Sequence, residues 1–358
     1  MEENRKVPIK NILYMYSYIW DKAEIIDLAL RNNNDDFDSP NILAKLFIEN
    51  IKDIFKIGLY REYKVHTEEI RGIKGKVDFK ESLNQLSFEN AKAVCEYDNL
   101  DANNIINQII KTTAYRLYKS NEIQEEYRRK LNNILLYFNN VQIIEITDKS
   151  FNICFNRNNY YTYYMIMICK LIKECTMLSE NDGKYKFVNI LDDDKKMELI
   201  FELFIYKFYE IELKGEYKVK AQQHLDWNLK NGNADILPAM RMDTVLYGIH
   251  INKTIIIDTK YYSDFMKKSF YSEEDKSTLI SGNLYQMSSY MNNINTDNEL
   301  VGILLYPMPY NRNEISEQYD IEIVSKGVVR NAKLQIQTIN LSNDWREIKR
   351  ELLKIICI

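Results

Sequence analysis

RMDTVLYGIHINKTIIIDTK, running from Arg241 to Lys260, is the stretch whose reading decides the fold. It reads as two β-strands joined by a short turn. Side chains alternate along a strand, so Arg241, Asp243, Val245 and Tyr247 share one face of the first strand. Ile256, Asp258 and Lys260 share one face of the second. A symmetric turn around Ile249–Asn252, flanked by Gly248 and Lys253, sets Asp243 opposite Asp258, with Cβ atoms roughly 5 Å apart in an antiparallel pair. Two carboxylates that close repel unless a proton or a cation sits between them. Mg²⁺ suits such a site, because it takes one or two carboxylates and fills its octahedron with waters and phosphate oxygens. Lys260 projects on the same side as Asp258, where an ammonium can orient or help deprotonate an attacking water. The outline is that of a metal-dependent phosphodiesterase site, with Asp243 and Asp258 as metal ligands and Lys260 as the third catalytic residue.

Asp-x-Lys at the end of an apolar strand also suits an ordinary ion pair, and two features weigh against that reading. Asp258 follows the run Ile255-Ile256-Ile257, so it emerges from a buried central strand where an unpaired carboxylate is costly. Farther on, Gln286 and Tyr290 lie four residues apart on an expected helix and so face one way. Asp…Asp-x-Lys followed by Gln-x-x-x-Tyr resembles the PD-(D/E)xK nuclease superfamily. That resemblance implies that the helix packs beside the site, with Gln286 orienting it or contacting phosphate.

At 358 residues, the length suggests about two domains. With 46% hydrophobic and 28% charged residues the chain has the core of a globular protein. A net charge of −4 gives no globally basic surface and weighs mildly against a stand-alone DNA binder. It is compatible with a nuclease subunit whose partner supplies much of the DNA affinity. The cysteines, Cys95, Cys154, Cys169, Cys175 and Cys357, are odd in number, scattered and without a C-x-x-C pair. With only His66, His224 and His250 beside them, a zinc site is not expected, and reduced thiols in a cytoplasm are the economical reading. The leading MEENRKVPIK has no apolar core of a signal peptide, and no apolar run reaches the ~18 residues of a transmembrane helix. A cytoplasmic protein with no membrane partner is expected.

In chain order, apolar spacing predicts helices over Val7–Arg31 and Asn41–Ile57. The chain then turns β-rich, from about residue 60 to 97, and includes EEIRGIKGKVDF (Glu68–Phe79). Gly72, Gly75 and Lys76 are spaced wrongly for a P-loop, so nucleotide binding by that device is excluded. Helices are expected over Asn103–Ser120, Gln124–Asn139 and Tyr160–Leu178, with a short extended piece at Val141–Thr147. The polar, turn-prone SENDGK (Ser179–Lys184) marks the domain boundary, giving domains of residues 1–185 and 186–358. The second opens with a helix, Lys195–Leu213, carrying Glu202 among apolar residues. Glu202 is either a solvated helix residue or a further metal ligand reaching the site. Strands near Tyr217–Gln222, Met240–Gly248 and Thr254–Lys260, a helix over Thr278–Asn293 and a strand at Leu300–Tyr306 follow. Two more strands, near Asp320–Val324 and Leu334–Ile339, and a helix at Asp344–Ile356 close the chain. The fold class is α/β in its second half, a restriction-endonuclease-like α/β/α sandwich, and α+β overall. A mostly helical amino-terminal domain with a small β-subdomain precedes the sandwich. The charged block DFMKKSFYSEEDKST (Asp264–Thr278) matches no pattern and is assigned no role.

The likeness extends past the nuclease core. VPIKNILYMYSYIWD (Val7–Asp21), GIKGKVDF (Gly72–Phe79) and LDANNIINQIIKTT (Leu100–Thr113) resemble the amino-terminal domain of the McrC family. MDTVL, IIIDTKYY, NLYQMSSYM and GILLYPM resemble its nuclease domain in the same order. McrC proteins are the endonuclease subunits of McrBC modification-dependent restriction systems. The resemblance implies that Asp243 and Asp258 bind Mg²⁺ and that Lys260 completes the site. It also implies an McrB-type AAA+ GTPase hexamer as partner, which binds the GTP and recognises double-stranded DNA carrying modified cytosine. The amino-terminal domain would dock into that ring and stimulate it. A hairpin at Glu68–Val77, with Arg71, Lys74 and Lys76 as contacts, is the candidate docking element, an ordinary solvated loop being the alternative. Two other functions fit the residues less well: an autonomous PD-(D/E)xK nuclease of repair or transposition type, and a non-cleaving activator of a GTPase.

Overall fold

The computed structural model describes residues 7–20, 40–178, 185–187, 194–229, 231–262, 266–268, 277–308, 314–325 and 328–357. The boundary expected at Ser179–Lys184 and most of the charged block from Asp264 lie outside the described residues. The chain divides into two compact units, one of Ser39–Asn189 and one of Met1–Asp38 together with Ile190–Ile358. The expected first domain, residues 1–185, held the first helix; that helix, α1 (Ile9–Ile19), groups instead with the second half of the chain. Its side chains account for the difference. Asn11, 3% exposed, donates from Nδ2 to the carbonyls of Leu341 (2.7 Å) and Asn343 (2.9 Å). Tyr14 stacks flat on Trp345 with ring centroids 4.7 Å apart, and the Tyr18 hydroxyl donates to Glu212 at 2.6 Å. Periodicity announces an apolar face but not the partner it meets. The expected continuation of this helix to Arg31 lies outside the described residues.

The Ser39–Asn189 unit begins with α2 (Asn41–Ile57), closed by Gly58 at a φ of +105° that favours glycine. Strands β1 (Glu62–Arg71) and β2 (Lys76–Val77), helix α3 (Phe79–Asn84) and β3 (Lys92–Asp101) follow. The rest of the unit is α4 (Ile105–Lys119), α5 (Glu125–Tyr137), α6 (Tyr163–Glu174) and the pair β4 (Thr176–Leu178) with β5 (Tyr185–Phe187). Val141–Thr147, expected to be extended, joins no strand, and the helix expected over Tyr160–Leu178 gives way to β4. The small sheet has the order β1-β3-β2, so β1 and β2 both pair with β3 and not with each other. The expected hairpin at Glu68–Val77 is therefore a short crossover around β3. Gly75 permits it, because a Cβ there would overlap the Glu96 carbonyl oxygen.

In the other unit, α7 (Asp194–Glu212) precedes β6 (Tyr217–Leu225), β7 (Met240–Gly248) and β8 (Lys253–Thr259). After the short pair β9 (Met266–Lys268) and β10 (Ser277–Leu279) come α8 (Ser281–Asn293), β11 (Glu299–Pro307), β12 (Ser316–Ser325), β13 (Val328–Ile339) and α9 (Trp345–Cys357). Six strands form one mixed sheet in the order β12-β13-β11-β8-β7-β6, with β8, β11 and β13 parallel and the outer pairings antiparallel. The parallel β8–β11 pair requires a crossover, and α8 supplies it. Met287, Tyr290 and Met291 of α8 pack on Ile256 and Leu304. Gly302 leaves room for this approach, since its absent Cβ would lie 2.8 Å from the Met287 sulfur. The opposite face carries Ile255 and Ile257, both fully buried. α7 packs there, with α1 and α9 around it through Phe204, Phe208 and Trp345. The result is a helix–sheet–helix sandwich, as the sequence predicts. None of the five cysteines is bridged, and among the described residues no helix is long and apolar enough to cross a membrane.

Asn11→Ala removes the donor to the buried Leu341 carbonyl and to the part-buried Asn343 carbonyl, a loss of roughly 1–3 kcal/mol. Urea titration should show this destabilisation in the unit containing β6–β13; an unchanged unfolding midpoint would detach α1 from that unit.

Candidate active site

The turn between β7 and β8 sets the site. Gly248 cannot carry a side chain, because a Cβ would overlap the Ile251 carbonyl oxygen. The ladder that follows pairs Tyr247 with Thr254, Leu246 with Ile255, Val245 with Ile256 and Thr244 with Ile257. This is the register expected from the sequence, and its next step brings Asp243 opposite Asp258. Lys260 lies just beyond β8, its backbone N–H donating to the Leu305 carbonyl at 3.1 Å. Two carboxylates and an ammonium thus converge at one edge of the sheet, beside α8.

Their environments differ. Asp258 is fully buried, and neither of its oxygens accepts a hydrogen bond of good geometry among the described residues. Its partner is an ionic one, with Lys260 Nζ 2.9 Å from Oδ2. Burial, reinforced by the charge of Asp243, pushes the Asp258 carboxyl up to about 7, against the opposing pull of Lys260. Asp243 is also raised by burial, with Lys260 and two donors from Thr259 working the other way. Those donors are the Thr259 backbone N–H at 3.0 Å and its hydroxyl at 3.2 Å, both to Asp243 Oδ2. Burial opposes the Lys260 charge, but Asp258 and Asp243 outweigh it and hold the ammonium protonated.

Glu202, on α7, stands near enough for Asp243 to add to the upward shift that burial gives it. Its carboxylate accepts from the Gln222 side-chain amide on β6. Among the described residues no three His, Cys, Asp or Glu side chains gather closely enough to hold a metal ion. Gln222 engages Glu202, which shares the electrostatics of both aspartates. Gln222 itself adopts a left-handed φ of +48° in mid-strand, opposite Asp243, where the β6–β7 ladder is interrupted. Gln286 does not touch the carboxylates either. Its Nε2 donates to the Tyr290 hydroxyl at 2.6 Å, which donates to the Arg241 carbonyl at 2.7 Å, two residues before Asp243. The shared helix face expected from the i, i+4 spacing is present, and it ties α8 to β7.

Thr259, Gln222 and the buried pair Asn283–Tyr306 (3.0 Å) were not singled out by the sequence. A threonine between Asp258 and Lys260 alternates to the other face of an ideal strand, so only the actual geometry reveals its bond to Asp243. Arg71, Lys74 and Lys76 belong to the other unit. Arg71 ends β1, Lys74 Nζ lies 3.8 Å from the centre of the Tyr97 ring, and Lys74 and Lys76 border a cleft of about 440 Å³ with Tyr97 and Asp98.

A divalent cation fits these donors. Among the described residues Asp258 is met by the Lys260 ammonium at Oδ2 and by no well-aligned hydrogen bond, and Thr259 donates twice to Asp243 Oδ2. A buried anionic pair open in this way matches an oxygen-seeking ion that keeps part of its water shell. A family model described as the McrBC 5-methylcytosine restriction system component matches residues 3–307. The chain belongs to this family. A curated member from Escherichia coli K12, the type IV methyl-directed restriction enzyme EcoKMcrBC, is 25% identical over 99% of this chain and 98% of its own length. Among solved structures, the half-complex of Thermococcus gammatolerans McrB AAA+ hexamers with bound McrC aligns with 98% of this chain and 75% of that one. Its TM-score is 0.58 and its identity 15%, a likeness of fold. The McrBC-family chain thus presents an α/β sandwich with two aspartates and a lysine at one sheet edge.

The raised Asp258 carboxyl has a stability consequence. Its folded form holds a proton more tightly than the unfolded chain does, so its contribution is fully present below 3.8 and is lost as pH rises towards about 7. In EDTA, the stability of Asp258→Asn relative to the parent should move in the variant's favour by about 2–4 kcal/mol between pH 4 and pH 8. Parallel pH–stability curves for the two proteins would refute the raised carboxyl.

Proposed function

We propose that this chain is the nuclease subunit of a GTP-dependent, modification-dependent restriction complex and hydrolyses DNA phosphodiester bonds with Mg²⁺. One observation carries the reading: Asp243 and Asp258 face each other at the sheet edge with Lys260 paired to the buried carboxylate. Family membership supports it, as does the naming of the E. coli relative as a restriction enzyme.

Asp243 and Asp258 would hold the cation, beside the ion pair that Asp258 Oδ2 makes with Lys260. Bound there, Mg²⁺ supplies a water activated for attack and a positive charge against the phosphate. Lys260, kept protonated by its neighbours, adds an ammonium that orients the water or stabilises the charge developing on phosphate oxygens. Glu202 lies at the margin as an acceptor for water. Gln286 and Tyr290 hold β7 against α8 and so fix the position of Asp243.

The partner in this reading is an McrB-type AAA+ GTPase hexamer that binds GTP and selects double-stranded DNA carrying modified cytosine. A solved complex of such hexamers with bound McrC, to which this chain is similar in fold, supports it. The Ser39–Asn189 unit is the docking module, with Arg71, Lys74 and Lys76 as contacts. Those three cations lie on or beside the exposed crossover, where a partner can reach them.

Mixed with the cognate GTPase, GTP, Mg²⁺ and methylated plasmid, the parent chain should cut. Asp258→Ala and Lys260→Ala should lower cleavage by roughly a thousandfold and leave stimulation of GTP hydrolysis intact; Arg71→Ala with Lys74→Ala should weaken stimulation and partner-dependent cleavage together. Cutting by the chain alone, without partner or GTP, would point to an autonomous nuclease. Stimulated GTPase activity with no cutting in any mixture would leave only an activator.

A further inference from the structure

Thr259 lies between the two residues of the Asp258–Lys260 pair, is 3% exposed, and spends both its donors on a single oxygen of a different aspartate. The backbone N–H and the hydroxyl converge on Asp243 Oδ2, at 3.0 Å and 3.2 Å. A carboxylate gripped twice through one oxygen cannot swing to offer both to an ion. Neither of these two bonds falls on Oδ1, which is left to meet an ion.

We infer that Thr259 is a positioning residue that makes Asp243 a one-oxygen ligand and so sets the site's preference for Mg²⁺ over Ca²⁺. This rests on the metal-site reading above and deepens it. Mg²⁺ requires near-ideal octahedral geometry at short distances and takes single carboxylate oxygens. Ca²⁺ accepts six to eight ligands, including carboxylates bound through both oxygens. Locking Oδ2 to Thr259 removes the second oxygen that Ca²⁺ would use. It also fixes Oδ1 in place, which the stricter ion needs more than the tolerant one. Groups that orient a metal ligand typically change affinity 10–100-fold when lost.

The test is calorimetric titration of the full chain with Mg²⁺ and, separately, Ca²⁺. It compares the parent with Thr259→Val, which keeps the β-branched shape and removes the hydroxyl, and with Thr259→Ser, which restores it. The Mg²⁺ dissociation constant of Thr259→Val should rise about tenfold or more while that for Ca²⁺ changes less than about threefold. Thr259→Ser should return both to the parent values. In cleavage assays with the partner GTPase, the Thr259→Val defect should shrink as Mg²⁺ is raised, a shift in Mg²⁺ requirement more than in the maximal rate. Melting in EDTA checks that the variants are folded; if Thr259→Val is not, Thr259→Ala carries the same comparison. Unchanged Mg²⁺ affinity in the variant, or equal losses for both ions, overturns the role given to Thr259 while the parent still binds. A parent chain that takes up neither ion defeats the metal site itself, and this inference with it.

Discussion

A carboxylate buried at the end of a central strand, with Lys260 as its counter-charge, is the constraint on which the rest of this structure depends. Asp258 stands at the end of three fully buried isoleucines, where an anion is opposed by everything around it except Lys260. A single ion pair with imperfect hydrogen bonding seldom repays the cost of burying both charges. The upward shift of Asp258, driven by burial and by Asp243, records that deficit. A fold that served stability alone would place an apolar residue here. Holding the position costs free energy that the sandwich must supply elsewhere, and such expense is the mark of a site where charge is needed.

The supply is visible on the two faces of the sheet. On one, α8 lays Met287, Tyr290 and Met291 over Ile256 and Leu304, with Gly302 letting the helix approach. On the other, Tyr14, Tyr18, Phe204, Phe208 and Trp345 form an aromatic layer between three helices. Each aromatic pair adds roughly 0.5–1.5 kcal/mol beyond its buried area. These layers fix the strand ends on which Asp243, Asp258 and Lys260 are carried. Side chains carried on or next to strand ends hold such a constellation more tightly than loop residues do.

Much of this was legible in the residues themselves. Alternation along two strands and the symmetry of a short turn gave the register of Asp243 against Asp258, because a strand's period of two leaves no freedom once the turn is placed. The i, i+4 spacing of Gln286 and Tyr290 likewise foretold a shared helix face. What escaped depends on contacts distant in the chain. No local pattern joins α1 to Trp345, more than three hundred residues away. Nor does periodicity foresee that Thr259 turns its hydroxyl to Asp243, that Gln222 takes a left-handed conformation, or that Gln222 bonds to Glu202. The Glu68–Val77 segment was misjudged for a related reason. Glycines mark where a chain turns, but not whether the strands they join become neighbours.

The allegiance of α1 to the far end of the sequence has a consequence for how the molecule is made. Ser39–Asn189 is one continuous run and can close its contacts as soon as it has been synthesised. The remaining unit is split, and Tyr14 must wait for Trp345 before its ring has anything to stack on. At ribosomal speeds of about 5–20 residues per second, that interval is on the order of tens of seconds. For most of it α1 has no native partner, until Phe204 and Phe208 of α7 arrive to meet Tyr18, and Tyr14 waits longer still. The sandwich is thus completed only once Trp345 has been made, after the continuous unit can already close.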